Sequence, residues 1–131
     1  MWLIMVYVFV GIGGAIGSIF RYLLSFLHTP ETVIPYGTLA ANLSGSFLLG
    51  WFTAKSTIFK KLHPQLALAF STGLLGSYTT FSTFCLEIVK YIEAGQYLYT
   101  LAYLVISLAG GILLAWFGYK SALVKLGGVE G

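Results

Sequence analysis

Gly76-Ser77-Tyr78-Thr79-Thr80-Phe81-Ser82-Thr83-Phe84 interrupts an apolar stretch, Leu66 to Tyr91, that is otherwise long enough to cross a bilayer as a helix. A single hydroxyl survives at membrane depth by bonding back to its own helix. Five Ser and Thr hydroxyls within nine residues, behind a glycine, predict locally broken backbone that faces protein or a cavity rather than lipid. Such an interruption is the usual setting of a permeation or ion site.

The composition fixes the surroundings of that run. Of 131 residues, 58% are hydrophobic, 17% aromatic and only 8% charged, against roughly 25% charged in a soluble domain. A water-exposed surface needs more charge than this, so most of the chain must face lipid or other protein. The reading is an all-α integral membrane protein with a single domain over residues 1–131 and four transmembrane spans. These run approximately Trp2 to Phe26, Ile34 to Ala54, Leu66 to Tyr91 and Tyr97 to Tyr119. The connectors are short: His28-Thr29-Pro30-Glu31, Lys55 through Pro64, and Glu93-Ala94-Gly95-Gln96. The first span has no basic residue ahead of it and no small-x-small cleavage pattern, so it reads as a helix and not as a signal peptide. Lys55, Lys60, Lys61, Lys120 and Lys125 gather on the side of the termini, with Arg21 and Lys90 on the other, which predicts cytoplasmic termini.

Titratable chemistry is sparse. Cys85 is the sole cysteine, excluding an intrachain disulfide or a cysteine metal cluster, and reads as a small buried hydrophobe. His28 and His63 fall in connectors without an acidic partner at useful spacing, so no nucleophile and base pair emerges and an enzyme is not expected. The net charge of +3 comes mostly from lysines outside the spans, placed to hold anionic lipid heads or to concentrate small anions.

The remaining spans offer complementary faces. Gly13 and Gly17 in the first, and Gly37, Ala41 and Gly45 in the second, recur every four residues and give edges for close helix approach. Arg21 follows Gly17 by one turn, on the crowded side, and reads either as snorkelling to headgroups or as lining a vestibule. Thr38 and Asn42 share a face, and the Asn42 amide reads as an interhelical hydrogen bond or as a donor to a dehydrated anion. In the third span Gly73 and Gly76 are expected to loosen the backbone and free carbonyls for a cation. Beyond it Thr80, Thr83 and Glu87 follow one face while Phe81 and Phe84 share another, where positive ring edges can meet an anion. Tyr103, Ser107 and Gly111 align in the fourth span, and Ser107 reads as a pore donor or as bonded to the Tyr103 carbonyl. Four helices of this length do not enclose a polar path alone, which predicts self-association.

Taken together, Gly14 to Arg21-Tyr22, Gly37-Thr38-Leu39 with Asn42 and Gly45-Ser46-Phe47, and Gly73 to Gly76 with Thr79-Thr80-Phe81-Ser82-Thr83-Phe84 closely resemble the Fluc, or CrcB, family of fluoride channels. The resemblance covers all four spans. It implies an antiparallel, dual-topology homodimer with the third helix broken near its middle, two fluoride pathways, and one structural sodium ion at the dimer centre. Sodium would be held by main-chain carbonyls of Gly76 and Thr79 from both subunits. Phe81 and Phe84 would present ring edges to fluoride, with Asn42 as the polar donor beside them and Thr38 on the same helical face. Ser82, Thr83 and Glu87 match a polar track toward the vestibule, Tyr103 and Ser107 match pore-side positions, and Arg21 matches a basic residue near the entrance. Some members carry serine where this chain has Gly111, which removes one hydroxyl from the fourth helix. The implied function is passive export of cytoplasmic fluoride across the cell membrane by a multi-pass protein. Its partners are fluoride, sodium, the lipid bilayer and a second copy, with no nucleic acid and no organic cofactor.

The main alternative is a small proton-coupled multidrug transporter, which needs a titratable carboxylate inside the bundle, typically in its first helix. None of Trp2 through Phe26 is acidic, and Glu87 lies in the third span. A noncatalytic assembly subunit would account for the small-residue edges but not for Asn42 together with the hydroxyl and phenylalanine run.

Overall fold

The computed structural model describes residues 1–27 and 34–127, and all regular structure among them is helical. Helix α1 is Trp2–Ser25 and α2 is Tyr36–Leu62. Helix α3 covers 64–78 and joins an α-helical Pro64–Leu68 to a wider π-helical Ala69–Leu75 and a last turn, Gly76–Tyr78. After a break come α4, Ser82–Glu93, and α5, Tyr97–Gly127.

Local chemistry sets most of these ends. Pro64 occupies the first turn of α3, where its missing N–H is no loss. Helix α4 closes on Gly95 at φ 70°, whose N–H bonds the Ile92 carbonyl while that of Gln96 reaches back to Tyr91. That pattern needs a left-handed residue, and glycine adopts it without steric cost. The connector expected at Lys55 through Pro64 is far shorter, because α2 continues to Leu62 and only His63 separates it from α3. The fourth helix likewise runs past Tyr119, to Gly127. The connector read at His28-Thr29-Pro30-Glu31 lies outside the described residues.

The bundle is built on close backbone approach. Gly13 and Gly17 set α1 against α3, where an added Cβ would strike the Ala69 and Leu74 carbonyls. The order of those contacts makes the two helices parallel. Helices α2 and α5 are also parallel: Gly110 faces Leu43, Gly50 meets the Ala115 backbone, and Gly118 meets that of Phe47. The interior is correspondingly made of small residues. Ala41, Ala67 and Ala122 are buried, and Leu75 is the only large side chain almost completely enclosed among the described residues. Large apolar side chains such as Tyr7, Leu98 and Ile112 stand on the outside, the distribution that suits a lipid environment, where helices associate through fit more than through hydrophobic burial. Trp2–Ser25 and Tyr97–Leu123 are long and apolar enough to cross a membrane. Helix α2 carries Thr38, Asn42, Ser44 and Ser46, and α3 and α4 share the broken span.

Candidate functional site

The chain breaks at Thr79, whose backbone is extended at φ −80°, ψ 156°. The break therefore begins where the loosened segment read from Gly76 to Thr79 was expected to end, since Gly76–Tyr78 is still helical. Gly73 has a different job from the one read in the sequence. It is buried against α1, where a Cβ would meet the Val10 carbonyl.

Side chains compete with the helical ladder here. Thr79 Oγ1 donates to the Leu75 carbonyl (2.9 Å), and Ser77 Oγ donates to the Gly14 carbonyl of α1 (2.8 Å). Asn42 of α2 then grips the first residue beyond. Its Oδ1 accepts the Thr80 N–H and its Nδ2 donates to the Thr80 carbonyl, both at 2.8 Å. Thr80 is buried, and its Oγ1 accepts the Thr83 N–H (3.2 Å) while donating to Thr83 Oγ1 (3.0 Å), which starts α4.

These bonds have a consequence for the carbonyls. In an unbroken helix the Thr80 N–H would bond Gly76 and the Thr83 N–H would bond Thr79. Asn42 takes the first donor and the Thr80 hydroxyl takes the second. The carbonyls of Gly76 and Thr79 thus lose their helical donors, and these are the two predicted to hold a cation.

Beside the break lies a recess of ≈310 Å³. Asn42, Ser46, Thr79, Phe81, Phe84 and Ser107 contribute to its lining. Ser107 Oγ is buried and has no hydrogen-bond partner, so the bond to the Tyr103 carbonyl weighed in the sequence is not made. Asn42 spends one amide hydrogen on Thr80 and keeps a second. Phe84 is buried while Phe81 is 75% exposed, with their centroids 6.1 Å apart. Phe84 also packs on Tyr103 at 5.1 Å. Asn42, Ser46 and Ser107 can donate into this space beside its aromatic walls, a combination that suits a small anion.

The other predicted residues form two further groups. Thr38 Oγ1 donates to Glu87 Oε1 and Tyr103 OH donates to Glu87 Oε2, each at 2.7 Å, tying α2, α4 and α5 together. Arg21, half-buried, lines a recess of ≈270 Å³ with Thr38, Thr80 and Thr83, a vestibule-like position. Ser82 is exposed, its Oγ 3.4 Å from that of Thr80. Thr80 was not picked out as a site residue, although it centres the whole arrangement. Its spacing to Thr83 and Glu87 carried the signal. Ser46 was also missed, and a lone serine gave none. Cys85 is a half-buried free thiol, and no group of metal-ligating side chains occurs among the described residues.

Fold and site together define an α-helical membrane protein whose interrupted helix presents freed carbonyls on one element and a small, sparsely polar recess beside it. Comparison with known sequences makes this specific. The chain belongs to the family described as CrcB-like protein, Camphor Resistance (CrcB), whose profile matches residues 8–119. A relative named fluoride-specific ion channel FluC 1, from Staphylococcus aureus (strain bovine RF122 / ET3-1), is 46% identical over 124 residues, covering 95% of this chain and 98% of the relative. Fluoride-specific ion channel FluC 2 of Geobacillus kaustophilus is 45% identical over 120 residues, covering 90% of this chain and 93% of its own. A FluC 2 from Staphylococcus saprophyticus is 40% identical over 116 residues, covering 88% and 95%.

Proposed function

We propose that this chain is a fluoride-selective channel of the cell membrane, spanning it with four helices and exporting cytoplasmic fluoride by passive permeation. The relatives' names supply the ion. The observation in this chain that carries the reading is the buried, unpartnered hydroxyl of Ser107, a residue that lines a recess with Asn42, Phe81 and Phe84. A buried polar atom without a partner is unusual, and a passing anion would use it. Fluoride is strongly hydrated, so entry needs close donors, which Asn42 and Ser107 provide. Exit needs weak contacts, and ring edges supply those.

One chain leaves this recess open on the side of Phe81. A second copy in antiparallel, dual-topology orientation would cover that exposed ring and yield two pathways, one along each subunit. The freed carbonyls of Gly76 and Thr79 fit a structural sodium ion at the centre of such a dimer. Carbonyl oxygens are hard donors, and two from each subunit make a four-oxygen site. When bound, the ion would supply a fixed positive charge that favours nearby anions. Arg21, Thr83 and Ser82 belong to the approach, and Thr38, Glu87 and Tyr103 to its wall.

The chain is a channel and not an enzyme. The transporter alternative is not favoured, because both oxygens of Glu87 are taken up by hydroxyl donors. The deciding experiment is anion efflux from liposomes holding the purified protein. Fluoride is expected to leave rapidly and chloride negligibly. Equal rates, or fluoride loss only with a proton or drug gradient, would overturn the channel.

A further inference from the structure

A second recess, of ≈550 Å³, opens between α1, α2 and the first half of α3 and shares no lining residue with the one at the break. Its walls are apolar: Phe9, Ile12 and Ile16 from α1, Phe52 and Phe59 from α2, and Phe70 from α3. The phenylalanines pack on one another, Phe52 lying 4.8 Å from Phe70 and 5.3 Å from Phe59. None of Gly76, Thr79 and Phe81 contributes, so this groove is separate from the residues that the proposed dimer would cover.

One end of the groove is cationic. Trp51 and His63 both line it, and Trp51 carries the Lys55 ammonium 4.4 Å above its ring. A lysine held on an indole face has its charge placed at the rim, where a free side chain would sweep a wide volume of water. Lys120 lies in the same way over Trp116, 4.2 Å away, on the parallel helix α5. Two Lys–Trp pairs on parallel helices, about one turn beyond the Gly50–Ala115 contact, mark one headgroup level. Among the described residues no carboxylate lies at this end, since Glu87 and Glu93 belong to α4, which runs from the break to the other end.

We infer that this groove is a binding site for an anionic phospholipid, with an acyl chain along Ile12, Phe52 and Phe70 and the headgroup phosphate between Lys55 and His63. Charge complementarity selects the occupant. A zwitterionic lipid would fill the apolar part equally well but would bring no net negative charge to the rim. The site is independent of which ion the protein conducts.

The test uses the full-length purified protein in nanodiscs or detergent, with native mass spectrometry counting retained phosphatidylglycerol against phosphatidylcholine. Phosphatidylglycerol is expected to be retained preferentially, and Lys55→Gln with His63→Gln is expected to lower that preference about fivefold or more, given about 1 kcal/mol for a lysine near anionic lipid. Lys61→Gln, exposed at the same end but outside the groove, should change it little. Ile12→Trp, which fills the groove without touching a charge, should reduce retention of both lipids. Equal retention of the two lipids by the parent protein would overturn the proposal. So would an equal loss from Lys61→Gln, which would mean a diffuse attraction to the basic end. A thermal unfolding midpoint matching the parent shows that each variant is folded, and unchanged fluoride efflux separates this result from any failure of the channel reading.

Discussion

Replacing Asn42 by leucine, which has nearly the same shape and no polar atoms, tests the arrangement at the break most directly. In the parent protein the amide makes two 2.8 Å bonds to the buried Thr80, one to its N–H and one to its carbonyl. Leucine strands both groups. Each unpaired buried group costs about 1–3 kcal/mol, which predicts a loss of about 2–6 kcal/mol if the break keeps its form. The alternative is local: the Thr80 N–H turns back to the Gly76 carbonyl and extends the helix by one residue. The stability cost then falls to about 1–3 kcal/mol for the Thr80 carbonyl alone, but the proposed cation site loses one carbonyl per subunit. Both outcomes weaken the proposed sodium-bound dimer, and they separate on titration. Unfolding of the purified protein should be followed at rising sodium, with N-methylglucamine as the replacement cation. The parent midpoint is expected to rise with sodium. In Asn42→Leu it should be lower, and in the second case also nearly independent of sodium. Fluoride efflux should fall about tenfold or more, the equivalent of one lost interaction near 1.4 kcal/mol. An Asn42→Leu protein with the parent's midpoint, sodium response and efflux would refute the reasoning, because two buried hydrogen bonds would then have no consequence.

Phe81→Ile and Phe84→Ile are both expected to suppress fluoride efflux with assembly retained on size exclusion; normal conduction by both would end the role given to ring edges. Gly50→Ala places a methyl against the Ala115 backbone and should lower stability by about 1–3 kcal/mol in thermal unfolding, as overpacking does, whereas Gly11→Ala, with open space around it, should be neutral. Thr38→Val and Tyr103→Phe each remove one 2.7 Å bond to Glu87, and the double variant should show a coupling of about 0.5–3 kcal/mol in a denaturation cycle; strict additivity would mean that the three side chains do not act as a unit.

Much of the helical layout was legible because lipid leaves so few options. A chain this poor in charge must satisfy its backbone in helices, and the four-residue glycine and alanine steps do mark the surfaces where helices touch. The interruption was legible for the same reason, since so many hydroxyls have no place facing lipid. Its position was not. Gly76 looked like the weak point, yet the helix continues through it and yields at Thr79, because what breaks it is a competing acceptor on another helix. Spacing within one helix does not show that Asn42 sits opposite Thr80, thirty-eight residues away. The π-helical Ala69–Leu75 was legible only as a loosening expected at Gly73, since nothing in its composition distinguishes a wider helix from a broken one. Lysines misled at the second connector: Lys55 and Lys61 are polar enough to suggest a loop, but their stems let a helix carry them out to the membrane surface.

A carboxylate beside a proposed anion route opposes it by charge, and the hydrogen bonds of Glu87 resolve the conflict. Thr38 and Tyr103 aim their hydroxyl hydrogens at Glu87, one at each oxygen, so those hydrogens are not offered to a passing anion. Donors remain in the second amide hydrogen of Asn42 and the hydroxyls of Ser46 and Ser107, all three residues lining the recess at the break. The residues read together from the sequence as one fluoride path thus divide into two kinds. Thr38, Glu87 and Tyr103 pin α4 between α2 and α5, and through Phe84, packed at a tilt against Tyr103, they fix where a ring edge can lie. Asn42 belongs to both kinds. Its Oδ1 and one amide hydrogen hold the break open, and its second amide hydrogen remains for the recess that Asn42 lines. The geometry of the freed carbonyls and that of the anion route are therefore set by the same side chain.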